Sequence, residues 1–515
     1  MRRRTVDINS AMPTNSPPKT GTSRHTLLMA FRSAAGAAVV GYAVNLSLLP
    51  FVIHRLGPEL YGAWVTAAAF LAVGGLADAG IRLEIVRRVG VAHGAGDEAD
   101  LVRSVHHGLT LLTVVAGVFL VVGAAGAPAF RAFAFPSGVA GLSAAGVEWL
   151  IRGTFGVLAL SLVGNGYCGV LKGVQRSDVE MVAQAVAVPV AAALTVAGIT
   201  LGWGIWAMLV ASLGQSLISL GWQYLRLRSL VPALRPGLTR ISRGATRSYV
   251  ALSGFVLICQ LSDVVDSQWD KLVLSHFLGS AAVASFQVGT TLVMAGKALV
   301  VVPLAPLLVA VAEFRGRDDA KMEMYVNVLA KAGMVLAAVV LGGIFVFAPS
   351  FIRLWLGSEL DPAGHAARLF AVAAVFGMFS APLSFRALGE GWHALVATGA
   401  AVNMLVNGVL SLTFTMWLGF NGPLYGSIAG NLAGTLVTLV LVRGRLGSRW
   451  RRPPFGAVGT GALAALIFLA LGLDRVDTWP LLFVTMSAWT LVVGGAASAV
   501  ERLPVRSLLS RRSKV

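Results

Sequence analysis

The chain has 515 residues, 56% of them hydrophobic and only 12% charged, where an ordinary soluble domain is about 25% charged. Its mean hydropathy of +0.78 leaves too little polar surface to keep so large a core in water, which excludes a soluble globular protein and predicts an integral membrane one. The net charge of +18 does not mark a nucleic-acid face, because the basic residues sit in alternate short loops, the topology signal of a membrane protein.

Residues 1–30 are polar, with Arg2, Arg3, Arg4, Lys19 and Arg24 among Ser, Thr and Pro, and predict a disordered basic cytoplasmic tail. No short apolar stretch ending in a small-residue cleavage site follows the arginines, so no cleavable signal peptide is expected. Apolar runs long enough to cross about 30 Å of hydrocarbon then follow almost without pause. The first six fall at 33–53, 62–80, 107–127, 149–171, 179–199 and 204–223. Six more fall at 248–269, 281–309, 327–348, 367–388, 394–417 and 423–442, and a last pair at 456–473 and 479–499.

Fourteen crossings put both termini on one side. Of the 41 Lys and Arg, 33 fall on the side of the tail and 6 on the other, the latter including Lys271; Arg386 counts with the tail. That split places both termini in the cytoplasm and fits a multi-pass protein of a bacterial cytoplasmic (inner) membrane.

The chain also repeats itself. HRLGPELYGAWVTAAAFLAVGG, from His54, resembles SHFLGSAAVASFQVGTTLVMAGKA further on: Leu56–Gly57 falls on Leu278–Gly279, Trp64 on Phe286 and Gly74 on Gly296 without a gap. LGWGIWAMLVASLGQ at 201–215 likewise resembles LGFNGPLYGSIAGNL at 418–432. A recurring unit of this kind indicates duplication. The expected fold is all-α, with about 14 transmembrane helices. Two parallel six-helix repeats form an N-lobe (31–228) and a C-lobe (244–445), followed by two extra helices (454–500) and a basic cytoplasmic tail (501–515). An even number of crossings per copy keeps the copies in one orientation, as in parallel-repeat transporters.

Cys168 and Cys259 both lie in apolar runs and predict neither a disulfide framework nor a metal site. The loops are too short for a catalytic domain, and there is no GxxxxGK[ST] phosphate loop and no HExxH pair. An enzyme and an ATP-driven pump are therefore not expected.

Ionisable groups inside a span cost about 2.5–3.5 kcal/mol on insertion scales, and each asks for a reason. Lys297 lies near the middle of 281–309. It reads as a cation lining a central cavity and meeting an anionic substrate, or else as one half of an ion pair with a carboxylate of 248–269. Asp263, Asp266 and Asp270 recur at i, i+3 and i+7 and share one helix face; Asp263 is the deepest, and Asp266 and Asp270 read as lying toward the outer interface. Asn403 and Asn407 are one turn apart, and Asn431 follows on the next span; such amides often join helices by hydrogen bonds. The sharper reading gives Asp263, Asn403 and Asn407 a coupling cation, Na⁺ or H⁺, through the oxygen ligands that hard cations prefer. No other cofactor is expected. Asp78, Arg82 and Glu84, where 62–80 meets the cytoplasm, read as an interfacial ion-pair cluster or as a site receiving a substrate head group. Pro50 and Pro303 mark kinks that neighbouring helices can tolerate.

The turn LGPELYGAW followed by LADAG resembles the N-terminal signature of the polysaccharide biosynthesis (flippase) family. That family lies within the multidrug/oligosaccharidyl-lipid/polysaccharide exporter superfamily. VLKGVQRSD, HFLGSAAVASFQV and NMLVNGVLSLTFTMWLGFNGPLYGSIAGN fit the same family in order and spacing, over most of 33–445. The resemblance implies a non-enzymatic two-lobed flippase that opens alternately to each side. Its cargo would be polyprenyl-diphosphate-linked oligosaccharide drawn from membrane lipid, with Lys297, Arg82 and Asp78 toward the substrate. It also implies work alongside polysaccharide polymerase and glycosyltransferases, and no nucleic acid. The lipid II branch of the family carries arginines within its first two helices, whereas here the first has only Arg32 at its cytoplasmic end and the second has none before Arg82. That departure favours an O-antigen, capsule or exopolysaccharide repeat unit. The alternative on the same superfamily fold is cation-coupled multidrug or metabolite efflux.

Overall fold

A computed structural model describes residues 24–231, 237, 239, 254–304, 307, 311, 319–447 and 454–502. Side chains at 24–40, 42, 73–79, 254–257, 319 and 321 are not among what it describes. The described residues are helical nearly throughout, and eight helical stretches among them are long and apolar enough to cross a membrane by length and composition alone.

The first helix, α1, runs Arg24–Ala95 and is broken at Gly57, whose backbone stands at φ 79°, ψ 163°. Only a residue without Cβ adopts that conformation freely, so one helix becomes two arms that carry the spans at 33–53 and 62–80. Then come α2 (Glu98–Ala134), α3 (Ala144–Gly173), α4 (Ser177–Thr200) and α5 (Trp206–Leu230). In the second half α6 (Gly254–Val264) runs through a π-turn, Val265–Trp269, into α7 (Asp270–Leu278). The half continues with α8 (Ser280–Val301), α9 (Asp319–Leu356), α10 (Asp361–Gly389), α11 (His393–Leu418) and α12 (Gly422–Leu446). The last two helices are α13 (Phe455–Ala470) and α14 (Trp479–Val500). Every expected span falls mainly on a helix or an arm of one where its residues are described; residues 248–253 of one span and 305, 306, 308 and 309 of another lie outside the described ones.

The duplication is written in the backbone. Gly57 and Gly279, paired by the sequence repeat, have φ of 79° and 84°; Gly202 and Gly419, paired by the second repeat, have 84° and 58°. Gln175 (φ 61°) is matched by Gly391 (φ 80°). Because successive helices run up and down, Gly57, Gly202, Gly279 and Gly419 mark one end of the bundle. Gly96, Gln175 and Gly391 mark the other. We call these the Gly57 end and the Gly96 end.

Three boundaries differ from expectation. The helix begins at Arg24, inside the stretch expected to be a tail, while residues 1–23 and 503–515 lie outside the described ones. The run at 281–309 leaves α-helical geometry at Val302–Leu304, a 3-10 turn centred on Pro303, as a residue with no N–H to donate requires. The largest departure is at 248–269: the helix continues to Leu278. Asp266, Asp270 and Lys271 therefore lie within the bundle, not at its outer interface. Asp270 is 0% exposed and Lys271 9%, and both find polar partners inside, which is why their polarity does not end the helix.

Two further features position the site. Along α12, Gly422, Gly426, Gly430 and Gly434 face α11 so closely that a Cβ on Gly426 would stand 2.3 Å from Ser411 Oγ and one on Gly430 2.6 Å from Asn403 Oδ1. Small residues at this spacing let membrane helices approach closely. Meanwhile α13 and α14 pack on α9, where Trp489 covers Gly342 and Gly343 and donates from Nε1 to the Val339 carbonyl at 2.8 Å.

Candidate functional site

Two cavities lie along α6–α7. The first, of about 870 Å³, is lined by Asp263, Asp266, Lys297, Asn403 and Asn431, with Leu83 from α1 and Phe385, Leu388 and His393 toward the Gly96 end. The second, of about 550 Å³, lies between the two halves of the chain. Asn45, Tyr61 and Trp64 of α1 face Asp266, Gln268, Lys271, Gln287 and Thr291 across it. Asp266 borders both.

Helical spacing alone would align the three aspartates, but the π-turn adds a residue to one turn and changes the phase. Asp263 opens on the first cavity. Asp266 accepts from Asn407 Nδ2 at 3.1 Å and from Asn431 Nδ2 at 3.4 Å. Asp270 is turned inward and accepts from Ser427 Oγ at 3.0 Å. The amides of α11 and α12 thus hold Asp266, a residue that sequence reasoning had placed toward the interface.

Lys297 lies half-buried on the wall of the first cavity. No carboxylate lies within 4.0 Å of its ammonium among the described residues, so the expected alternative of a direct ion pair with α6 is not formed. Asp263 and Asp266 share the cavity with it at longer range.

Of the three residues expected to hold a cation, Asp263 and Asn403 line the same cavity, and Asn403 Oδ1 has no hydrogen-bond partner among the described residues. Asn407 does not join them: it is 0% exposed, its amide nitrogen is given to Asp266 and its oxygen accepts from Ser411 Oγ at 2.7 Å.

Arg82 is not brought to Lys297. It lies against Gly169 of α3, with its Cγ 3.2 Å from where a Cβ there would stand. The side chain of Asp78 lies outside the described residues. Glu84 holds Arg87 and Arg88 at 2.7 Å each. The Arg87 guanidinium, with Arg88 beside it, keeps its carboxyl below the usual carboxylate range.

Sequence reasoning missed two buried cations. Lys271, expected in an outer loop, stands in the second cavity and donates from Nζ to Gln268 Oε1 at 2.9 Å. Arg386, expected in a cytoplasmic loop, is 2% exposed. It is held by Glu390 at 2.9 Å and by Glu323 of α9, one of whose oxygens accepts at 3.1 Å. The available signal was in each case a polar partner one turn away: Gln268 before Lys271 and Glu390 after Arg386.

The two ends of the bundle differ. At the Gly57 end the halves touch directly. Ser275 Oγ of α7 donates to the Ala134 carbonyl of α2 at 2.6 Å, and the ring of His276 stacks on Phe133 at 5.4 Å. Gly62 of α1 lies so near Ser280 of α8 that a Cβ would stand 1.8 Å from its carbonyl oxygen. A continuous apolar core joins Leu49, Val52 and Val65 of α1 to Leu274, Val283 and Phe286. That end is sealed.

Comparison with known proteins agrees with this architecture. Residues 150–364 match the model of a family described as polysaccharide biosynthesis protein, which bears out the resemblance read from the sequence motifs. Among solved structures, the lipid II flippase MurJ in an inward closed conformation aligns with a TM-score of 0.70 at 12% identity, over 92% of this chain and 98% of that one. A multidrug resistance MATE family transporter of the MOP superfamily, in its inward-facing conformation, gives 0.68 at 18% identity over 81% of this chain and 98% of that one. An outward-facing conformation of such a transporter gives 0.55 at 20% identity, over 82% and 96%. No curated protein sequence matches. The chain shares its overall fold with these transporters.

Proposed function

We propose that this protein is a flippase of the cytoplasmic membrane. It carries a polyprenyl-diphosphate-linked oligosaccharide from the inner to the outer leaflet by alternating access, without chemistry on the cargo. The observation that carries the reading is Lys297, an ammonium on the wall of a large cavity with no carboxylate within 4.0 Å among the described residues. A charge in that setting is costly unless a ligand of opposite sign meets it, and a diphosphate supplies one. The sealed Gly57 end and the basic Gly96 end support a state that receives cargo from the cytoplasm. The prenyl chain stays in lipid while the sugar crosses between an N-lobe of α1–α5 and a C-lobe of α6–α12. Alternating access then requires only that the cargo bind the two states differently.

The experiment is depletion of the protein with measurement of lipid-linked sugar on each leaflet, followed by complementation. Depletion is expected to leave the lipid-linked sugar on the inner leaflet. Lys297→Ala should restore export about tenfold to a hundredfold less well than the unaltered chain, the worth of a charge-assisted hydrogen bond of roughly 1.5–3 kcal/mol. Unchanged leaflet distribution on depletion would sink the flippase reading. Full rescue by Lys297→Ala would sink the placement of the diphosphate.

One observation favours the second reading, cation-coupled efflux: Asp263 and the unpartnered Asn403 Oδ1 share the cavity wall. On the flippase reading the same pair is where a coupling Na⁺ or H⁺ belongs. A drug-accumulation assay in the depleted strain separates the two, since only efflux predicts retained drug with normal surface polysaccharide.

A further inference from the structure

The second cavity is built differently from the first. Its volume of about 550 Å³ lies within the range of small-ligand sites, roughly 300–1,000 Å³. Its walls combine the indole of Trp64 and the phenol of Tyr61 with the amides of Asn45, Gln268 and Gln287. Aromatic faces with a few amides suit a sugar, whose C–H face is apolar and whose rim is hydroxyl.

One group in it does not suit a neutral sugar. Lys271 is 9% exposed and stands on the wall of this cavity, near the start of α7. Its ammonium has three protons, of which Gln268 Oε1 takes one, at 2.9 Å. No carboxylate lies within 4.0 Å of it among the described residues. The one other charged residue among those lining the cavity is Asp266, already engaged by Asn407 and Asn431. Asp270, its neighbour in the chain, bears on it electrostatically but forms no direct ion pair with it and accepts from Ser427 instead; a buried cation without a direct ion pair costs several kcal/mol, and that cost is recovered if the ligand brings the anion.

We propose that this cavity is the sugar subsite, and that the transported unit carries an acidic sugar whose carboxylate pairs with Lys271. Trp64 and Tyr61 hold the ring, and the amides take its hydroxyls. Lys297 in the neighbouring cavity faces the diphosphate, so Asp266 divides a charged-lipid compartment from a charged-sugar one. This rests on the flippase reading and adds to it the class of sugar.

The test is calorimetric titration of the full chain in lipid nanodiscs with two soluble disaccharides at millimolar concentration, glucuronosyl-glucose and glucosyl-glucose. The acidic disaccharide is expected to bind at least tenfold more tightly. Lys271→Gln should remove the preference and Lys271→Arg should keep it, while Trp64→Leu weakens both sugars alike. Thermal unfolding of each variant identifies any that fail to fold, and Lys271→Arg keeps the comparison decisive if Lys271→Gln is one of them. Equal binding of the two sugars, no binding of either, or an undiminished preference in Lys271→Gln overturns the proposal. These outcomes are separate from the leaflet measurement: a failed sugar preference with inner-leaflet accumulation on depletion removes the acidic sugar and leaves the flippase. A sugar preference with unchanged leaflets removes the flippase.

Discussion

Arg386 shows what a single buried charge does in this protein. Its guanidinium is 2% exposed and meets Glu323 and Glu390 at once, tying α9 to the end of α10. Removing one partner from such a group leaves uncompensated charge and costs about 3–5 kcal/mol, whereas replacing the whole set with uncharged residues costs far less. Arg386→Met is therefore expected to lower the thermal midpoint of the detergent-solubilised protein markedly. Adding Glu323→Gln and Glu390→Gln should recover most of the loss. If the single and triple variants melt together, the network is not what holds these helices. Whether such residues can be read from sequence depends on where they stand in an apolar run. Lys297 and Asp263 interrupt long apolar runs, and that alone marked them as charges needing a polar cavity or a partner inside the bundle. Lys271 and Arg386 stand near the edges, where a charge looks the same whether it faces water or a partner on another helix.

Between α11 and α12 the contact is set by what is missing from the side chains. Gly422, Gly426, Gly430 and Gly434 bring the α12 backbone against α11, and only at that separation can Asn431 and Asn407 both reach Asp266. Gly426→Val would drive two methyl groups into Ser411, for a loss of roughly 1–3 kcal/mol from overpacking and of the amide pair besides. The control lies on the same helix: at Gly444 a Cβ meets nothing within 4 Å, and Gly444→Ala should be harmless. Transport and thermal midpoint measured together check this; a Gly426→Val protein that moves cargo normally would show that the close approach is not needed. The spans themselves, and the repeat that fixes Gly57 against Gly279, were legible because they depend on local pattern. The end of α7 was not. Its polar residues are satisfied by Ser427 and by the amides of α11 and α12, more than 130 residues away in the chain, and nothing local distinguishes that from an interface.

At the scale of the whole molecule the two halves touch at the Gly57 end, with one cavity just inside that contact and the other reaching toward the Gly96 end, so the proposed transport must break the Gly57-end contacts and remake them. Those contacts are few in kind: a serine hydroxyl on one carbonyl and a histidine ring nitrogen on another, that ring also stacked on a phenyl, a glycine against a serine backbone, and an apolar core behind them. None of these contacts is an ion pair, so parting them separates no carboxylate from a cation. Cross-linking Ala134→Cys to Ser275→Cys, in a chain whose Cys168 and Cys259 are changed to Ala, should hold the halves in this arrangement. The reduced protein is expected to support export; after treatment with a short thiol-specific linker, export should fall to background and return on cleavage of the linker. Cargo binding measured from the Gly96 side should survive the linkage, because both cavities are already formed in the sealed state. Undiminished export with the linker in place would mean that the halves do not part at this end, and the alternating mechanism would fall with it.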